Sequence, residues 1–277
     1  MGEPSKGLAG RVAAFCLLMC GLVSGTATAQ PDPGSRAMTL SARFDVANAY
    51  VLRGILQDDT GVIMWPAAEL GVVVKRGNPG GRGRMAVTLG TWNSLHTGAA
   101  GLEGLGKLWY QSDFYAGFAA GTGAGLSVGA TYLARTSPNN AFPSVTELIV
   151  NVGAPTTWVG PYALVAFELQ GQLDGGRRKG TYLELGARPT IGRRLTLAMP
   201  AKVGLSLGDY YEGLRGDETF GFFSIGGVAT LPLGGASRAG AWNVHGGAEY
   251  TKFGERNELV SGKTHQVVVS GGIGLAY

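Results

Sequence analysis

Five residues near the middle of the chain, Gly125-Leu126-Ser127-Val128-Gly129, match the G-x-S-x-G pattern of a serine nucleophile. In hydrolases this pattern sits on a sharp turn between a strand and a helix, which exposes the serine hydroxyl. Here Ser127 lies within an alternating apolar segment, and no helical pattern follows it. With 48 glycines in the chain, a chance match is expected, and we interpret the motif as part of a strand.

The histidines offer little further chemistry. They are His96, His245 and His265, and none lies in an H-E-x-x-H or H-x-x-E-H pattern, which binds zinc. His245 stands beside Asn243 on the polar face of its segment, which keeps a membrane-embedded hydrolase open if a serine lies near it. We predict no enzymatic activity, no metal site and no cofactor.

Charged residues form the one constellation that could carry a function. They share one face of their segments, with both signs present, and we predict that they line the lumen of a barrel: Arg43, Asp45, Glu69, Asp113, Arg135, Glu147, Glu168, Glu184, Arg188, Lys202 and Glu249. Such a set can pack the interior with ion pairs. It can also select solutes by charge and size, and both interpretations stay open.

The elements that must position these charges are period-two segments. About twelve follow the N-terminal region, and one face of each is almost purely apolar and carries no charge: 40–52, 62–74, 85–93, 108–118, 126–134, 146–152, 161–169, 181–189, 195–207, 221–231, 242–250 and a closing segment that ends at Tyr277. Strict alternation over such lengths predicts β-strands with one apolar and one polar face. We expect bulges or different boundaries at Pro66, Pro161 and Pro200, because proline cannot donate to a strand ladder.

Alternation alone allows two architectures. A soluble sandwich would turn the apolar faces inward, whereas a membrane barrel would turn them outward to lipid. The even strand count favours the barrel. So do the aromatic residues near the ends of the apolar faces, as in an interfacial girdle: Tyr50, Tyr110, Tyr132, Trp242, Tyr250 and Tyr277. We predict an all-β fold, a closed antiparallel transmembrane barrel of about 12 strands.

Connections between the segments agree with that orientation. If the chain starts in the periplasm, the outer connections are 53–61, 94–107, 135–145, 170–180, 208–220 and 251–265, and the inner ones are 75–84, 119–125, 153–160, 190–194 and 232–241. The outer set is longer on average, and the inner set is mostly small and polar. Long outer loops and short periplasmic turns are typical of outer-membrane barrels.

The N-terminal region predicts export. Lys6 and Arg11 precede a run of about a dozen apolar residues, which is too short to span a bilayer, and Ala27-Thr28-Ala29 forms an A-x-A cleavage site. This is the pattern of a signal peptide. We predict that residues 1–29 are removed and that residues 30–277 form the barrel domain. Both cysteines leave with the leader, so the exported chain has no thiol chemistry.

Charge and composition bound the partners. The full chain has a net charge of +4 and only 15% charged residues, and loss of the leader would leave +3. Without a basic patch we expect no nucleic-acid binding. The expected partners are outer-membrane lipid and small solutes, and the oligomeric state stays open.

The closing segment ends on an aromatic residue, Tyr277. In lipid no strand edge can stay unpaired, so the last strand should pair with the first. An apolar last strand with a terminal aromatic also resembles the recognition signal of the barrel assembly machinery.

The expected function is a narrow outer-membrane pore for passive diffusion of ions or small polar solutes. Twelve strands spaced ~4.8 Å apart and tilted ~40° give a backbone radius of about 12 Å. Large side chains expected to face inward would narrow it further: Trp65, Trp92, Trp109, Tyr115, Tyr162 and Tyr182. A plugged structural or adhesive barrel that acts through its outer loops is the alternative, besides the hydrolase.

Several segments resemble one family. Residues 48–57, NAYVLRGILQ, are similar to the S-D-Y-x-F-R-G-I-S-Q stretch of TorF-family porins. Residues 90–94, GTWNS, and 111–117, QSDFYAG, resemble that family's G-x-W-x-S-N and E-x-D-x-Y-x-G strands. The strand 126–132 and Glu147 extend the resemblance, which covers roughly residues 40–155. It implies an outer-membrane barrel with a transport role and supplies no substrate.

Overall fold

Alternation of apolar and polar residues places each predicted segment in one antiparallel sheet. The computed structural model describes residues 37–78, 83–101, 107–122, 125–213, 216–234 and 240–277, so the predicted leader lies outside the described residues. The elements are β1 (Met38–Ala47), β2 (Tyr50–Leu52), β3 (Ile55–Asp58), β4 (Ile63–Lys75), β5 (Met85–His96), β6 (Trp109–Gly121), β7 (Ser127–Thr136), β8 (Val145–Gly153), β9 (Tyr162–Gln170), β10 (Thr181–Ala187), β11 (Thr190–Ile191), β12 (Thr196–Ala198), β13 (Ala201–Gly208), β14 (Glu212–Gly213), β15 (Gly216–Asp217), β16 (Phe220–Pro232), β17 (Ala241–Phe253), α1 (Glu255–Ser261) and β18 (His265–Ala276).

The sheet closes into a barrel with twelve wall strands. They are β1, β4 to β9, β10 continued by β11, β12 continued by β13, and β16 to β18, each antiparallel to its neighbours. The first strand pairs with the last, from Ser41 opposite Ala276 to Ala47 opposite Ser270. Leu40 and Tyr277 exchange backbone hydrogen bonds of 2.8 and 2.9 Å. The predicted fold class and the predicted closure are confirmed.

The two faces of the wall meet different surroundings. Outward apolar residues are exposed, as for Leu89 at 55% and Phe114 at 57%, whereas Asp113 and Glu147 on the inward face are 0% exposed. A soluble sandwich would reverse this pattern, so that alternative is wrong for this chain.

Three aromatic residues depart from their predicted faces. Tyr50 and Tyr110 are buried in the interior rather than placed in an outer girdle, and Trp109 is 43% exposed rather than inward. For Tyr110 and Trp109 the cause is a bulge, since Ser94 pairs with Gln111 but Leu95 pairs with Trp109. The extra residue, Tyr110, shifts the parity of the strand end by one.

Pro161 and Pro200 lie at strand boundaries, as expected, whereas Pro66 lies inside β4 with neither a bulge nor a boundary. Pro66 leaves a gap in the β4–β5 ladder without changing the register. Pro161 immediately precedes β9, and Pro200 separates β12 from β13. Pairing with β16 continues in one register across the break at Pro200.

The two ends of the barrel differ. We call the end that carries connections 48–62, 97–108, 137–144, 171–180, 209–219 and 254–264 the loop end, and the opposite one the turn end. The short helix α1 lies at the loop end. Within the described ranges, no helix is long and apolar enough to cross a membrane.

Candidate functional site

The first strand ends earlier than its sequence pattern predicts, and the chain then enters the barrel. The wall pairing of β1 stops at Ala47, not at Leu52. At Asn48 the backbone amide still donates to the carbonyl of Val269 at 3.3 Å. The side chain adds two bonds to the same strand: Nδ2 donates to the carbonyl of Val267 at 3.3 Å, and Oδ1 accepts from the amide of Val269 at 2.7 Å. Asn48 thus completes the edge of β18 while the chain turns inward.

The segment that follows forms a two-stranded hairpin inside the loop end of the barrel, β2 with β3. Tyr50, Val51 and Leu52 are 1–3% exposed, and they form a sheet separate from the wall. We call residues 50–58 the inward hairpin. The prediction of one strand over residues 40–52 is wrong for its last part, because residues 50–52 leave the wall and pack against the interior aromatic residues. Residues 53–61 lie in a connection, as predicted, but the hairpin part of that connection is folded into the barrel.

Two residues with positive φ make the tight turn of the inward hairpin. Arg53 has φ 48° and Gly54 has φ 77°, the backbone signs of a two-residue type I′ turn. A side chain on Gly54 would meet Phe222 at 2.6 to 2.8 Å, so glycine is required there for space as well as for conformation. Arg53 is an unusual residue for the left-handed region. The contacts of its side chain must therefore offset the free-energy cost of this backbone conformation.

The Arg53 side chain binds a socket in the interior. Its guanidinium pairs with Glu147 at two points, through Nη1 and, at 3.1 Å, through Nη2. Nη1 also donates to the hydroxyl of Tyr210 at 2.6 Å. The guanidinium carbon lies 4.7 Å from the ring centre of Tyr182 and 5.6 Å from that of Tyr210, within the range of cation–π attraction. We call Glu147, Tyr182 and Tyr210 the Arg53 socket.

A second arginine completes a buried charge group. Arg135 Nε lies 3.3 Å from Asp113, and its Nη1 lies 3.5 Å from Glu147. Together with Arg53 the group holds two positive and two negative charges, each 7% exposed or less. The neutral sum matters, because an unpaired charge in such an interior is strongly unfavourable.

Aromatic rings fill the space beside these charges. Tyr50 lies 5.8 Å from Trp65, 5.4 Å from Trp92 and 6.5 Å from Tyr110 between ring centres. Its hydroxyl donates to Gln111 at 3.1 Å. Rings at these separations attract each other beyond their burial, so Tyr50 ties the hairpin to the wall.

The far end of the hairpin is held by a chain of polar side chains. Asp58 Oδ2 lies 2.8 Å from His96 Nδ1, and His96 Nε2 lies 2.7 Å from the hydroxyl of Ser94. Asp58 accepts only, so Nδ1 carries the proton and Nε2 accepts from Ser94. Trp65 Nε1 donates to the same hydroxyl at 3.0 Å. Ser94 and His96 are 0% exposed, so this serine–histidine–aspartate chain anchors the hairpin and has no surface open to a substrate.

An outer loop covers the hairpin tip. Tyr211 donates to the backbone carbonyl of Arg53 at 2.8 Å, and both Tyr210 and Tyr211 are at most 1% exposed. Ser206 fixes this loop by donating to Asp217 at 2.6 Å. Two connections of the loop end therefore hold each other inside the barrel.

Carboxylates nearer the middle of the barrel are bonded by tyrosines. Tyr115 donates to Glu69 at 3.1 Å, while Tyr162 and Tyr182 donate to Glu184 at 2.8 and 2.6 Å. The carboxylates of Glu69 and Glu184 therefore accept hydrogen bonds from inward tyrosines and do not project freely into the lumen.

The side-chain hydrogen bonds of His245 go to residues other than serine. His245 bonds Asp45 and, at 3.0 Å, Asn243, and Arg43 lies 3.6 Å from Asp45. Ser127 is buried at the start of β7 and contacts the carbonyl of Gly153 at 3.4 Å. Among the described residues, therefore, His245 is not hydrogen-bonded to the serine that a hydrolase built on it would need.

Three of the predicted lumen residues meet at one place, and the others are spread over the inward face. Asp113, Arg135 and Glu147 meet at the inward hairpin. The others lie elsewhere on the inward face, with Lys202 and Glu249 paired at 3.3 Å and with Arg188 just beyond the end of β10. Glu168 accepts backbone hydrogen bonds from Leu173 and Gly180.

Five residues of this site were not predicted from the sequence. Arg53, Asp58, Tyr210 and Tyr211 come from connections between wall strands, and His96 is the last residue of β5. The signal available was local. Three apolar residues before Arg53-Gly54 and two after it form a short hairpin pattern around a two-residue turn.

The interior near the hairpin is tightly filled. A cavity of about 30 Å³ remains, enough for about two water molecules, and it is lined by Gln57, Gln111, Phe142, Val145, Gln172 and Leu173. Within the described ranges, no group of three histidine, cysteine or acidic residues could hold a metal ion.

Comparisons with known proteins give similarity only at the level of fold. No family model and no curated protein matches the chain. The NanC porin is 10% identical with a TM-score of 0.45, over 85% of this chain and 98% of that one. An outer membrane channel from Pseudomonas putida F1 is 11% identical with a TM-score of 0.46, over 90% and 100%. The translocator domain of the autotransporter NalP from Neisseria meningitidis is 15% identical with a TM-score of 0.41, over 89% and 90%.

Proposed function

We propose that this protein is a porin-like outer-membrane channel whose loop end is closed by the inward hairpin in the state described here. The observation that carries the proposal is the orientation of the two faces of the wall, which is the reverse of that in a soluble sandwich. Apolar and aromatic residues face outward on the wall strands, and ion-paired charges face inward. A continuous apolar outer surface is far larger than a soluble monomer exposes, whereas a lipid bilayer requires it.

Export supports the same location. Residues 1–29 have the pattern of a signal peptide, and cleavage would start the exported chain at Gln30. The last strand, β18, closes the barrel against β1, and Tyr277 follows it with backbone bonds to Leu40. We propose that this strand with its terminal aromatic is recognised by the barrel assembly machinery. The resemblance of residues 40–155 to TorF-family porins supports a transport role.

The inward charges would set selectivity once the hairpin moves. Arg43, Glu69 and Arg188 are only partly buried, so we propose that they meet solutes first. Asp45, which pairs with Arg43, would contribute to the same field. Asp113 and Glu147 are fully buried and would act after the hairpin has left.

A salt gradient across a planar bilayer tests this function. We expect discrete current steps, and a reversal potential that shifts toward anion preference when Glu69 is replaced in E69Q. The matched control is E255Q on the exposed helix α1, which should leave the reversal potential unchanged. Reproducible insertion without any current would contradict the channel and favour a plugged barrel that acts through its loops.

A hydrolase remains the second candidate, because Ser94, His96 and Asp58 form a hydrogen-bonded chain. It would need the hairpin to expose Ser94 without removing Asp58, which the hairpin itself carries. A fluorophosphonate probe that labels the wild type but not S94A would support it, and absence of labelling would rule against it.

A further inference from the structure

We propose that the Arg53 socket is a binding site for guanidinium-bearing cations, and that Arg53 occupies it as a tethered ligand of the same chemical class. The inference rests on the proposed channel function for the route by which the solute arrives.

The socket matches a guanidinium in shape. Glu147 accepts from two guanidinium nitrogens, and the hydroxyl of Tyr210 accepts from one of them at 2.6 Å. A planar guanidinium can meet both carboxylate oxygens at once, whereas an ammonium group acts as a single point charge. The central guanidinium carbon, Cζ, lies 4.7 Å from the ring centre of Tyr182 and 5.6 Å from that of Tyr210.

The socket also demands a positive charge. Arg53, Arg135, Asp113 and Glu147 sum to zero while the hairpin is in place. When Arg53 leaves, the remaining three carry one net negative charge in a buried setting. Arg135 stays engaged with Asp113 at 3.3 Å and lies 3.5 Å from Glu147. The vacated position beside Glu147 therefore favours one cation with the geometry of the side chain that left.

The inward hairpin then competes with the solute. A tethered group acts at an effective concentration of about millimolar or more, so a free guanidinium compound must reach that range to displace Arg53. Binding would hold the hairpin away from the socket, and the channel would open for the class of solute that it recognises.

The test uses R53G, because glycine keeps the positive φ of the turn while removing the guanidinium. Calorimetry on exported protein in detergent would measure methylguanidinium, with methylammonium as the charge-matched probe and urea as the neutral planar one. We expect R53G to bind methylguanidinium at least tenfold more tightly than methylammonium and at least tenfold more tightly than the wild type does, with no heat from urea. The double variant R53G/E147Q should lose the preference.

Equal affinity of R53G for the two cations would overturn the inference, as would a preference that survives E147Q. If R53G does not fold, millimolar methylguanidinium added to the wild type in a bilayer should raise the fraction of time spent open, whereas methylammonium should not. Loss of current in every protein, with selective binding retained, would contradict the channel function but not the socket. Current without selective binding would contradict the socket alone.

Discussion

Arg53 and Glu147, which lie 94 residues apart in sequence, form a two-point ion pair inside the barrel. One comes from the tip of the inward hairpin and the other from wall strand β8. The pair therefore joins a segment that is not part of the wall to the wall itself. The proposed closure of the loop end depends on this contact.

Removal of the Glu147 charge should destabilise the barrel. In E147Q, Arg53 loses its carboxylate partner and Arg135 keeps only Asp113, and breaking a buried ion pair costs about 3–5 kcal/mol. Urea unfolding of the protein refolded in lipid should show this loss in the free energy of unfolding. The exposed variant E255Q should change it by less than about 0.5 kcal/mol, and equal effects of the two variants would contradict a buried pair.

Tyr50 allows packing and hydrogen bonding to be separated. Y50F keeps the ring and removes the hydroxyl that bonds Gln111, which should cost about 1 kcal/mol. Y50A also removes the ring between Trp65 and Trp92 and should cost about 3–5 kcal/mol. The control is the same unfolding measurement on the matching variants Y132F and Y132A, because Tyr132 is an aromatic residue that faces outward. A Y50A cost no larger than that of Y50F would mean that the ring is not packed as described.

The side chain of Asn48 should reinforce the pairing of the chain with β18. N48A removes its two hydrogen bonds to Val267 and Val269 and should cost about 1–2 kcal/mol, at roughly 1 kcal/mol for each bond. Hydrogen exchange of the Val269 amide should speed up in N48A. The exposed loop variant N78A should leave that amide unchanged, and unchanged exchange in both variants would contradict this role.

Acid should release the far end of the hairpin through Asp58. Burial alone would raise the pKa of Asp58, but hydrogen bonds from Thr60, His96 and Ala100 outweigh it and hold this pKa below its usual value. A lowered folded pKa gives stability that is present above about pH 4, the unfolded pKa, and that is lost as the pH falls through the folded pKa. The contribution of Asp58 should therefore keep the hairpin closed between pH 7 and pH 5.

The variant D58N separates Asp58 from the other carboxylates that titrate in acid. Because it is neutral at every pH, it should show at pH 7 the higher open fraction that the wild type reaches only below about pH 4. Bilayer currents recorded between pH 7 and 3 measure this. An open fraction for D58N equal to that of the wild type at pH 7 would contradict the anchoring role of Asp58.

Local alternation predicted the wall because it reports directly which face of each strand meets apolar surroundings. Leu89 and Phe114 face outward, and Asp113 and Glu147 face inward, as their parity indicates. Alternation could not predict where a strand leaves the wall. Tyr50 and Leu52 continue the apolar parity of β1, yet they face an aromatic interior instead of lipid, and both environments favour the same residues.

The socket escaped prediction for a different reason. Arg53, Tyr182 and Tyr210 come from separate connections and strands, and their meeting depends on tertiary packing that no spacing in the sequence records. The bulge at Tyr110 likewise arises from the pairing of two strands. Glu147 and Arg135 were predicted to face inward, but their pairing with a loop arginine was not.

The most direct test of the account compares single-channel recordings of the exported wild type and R53G in the same bilayer, with R178A as a matched control. Arg178 pairs with Asp209 at the surface, and its side chain is 75% exposed. The account predicts that the wild type and R178A are mostly closed, whereas R53G is open for at least ten times as much of the recording, because the hairpin has lost its anchor in the socket. Equal open fractions and equal current steps in all three proteins would contradict the claim that the inward hairpin closes the barrel.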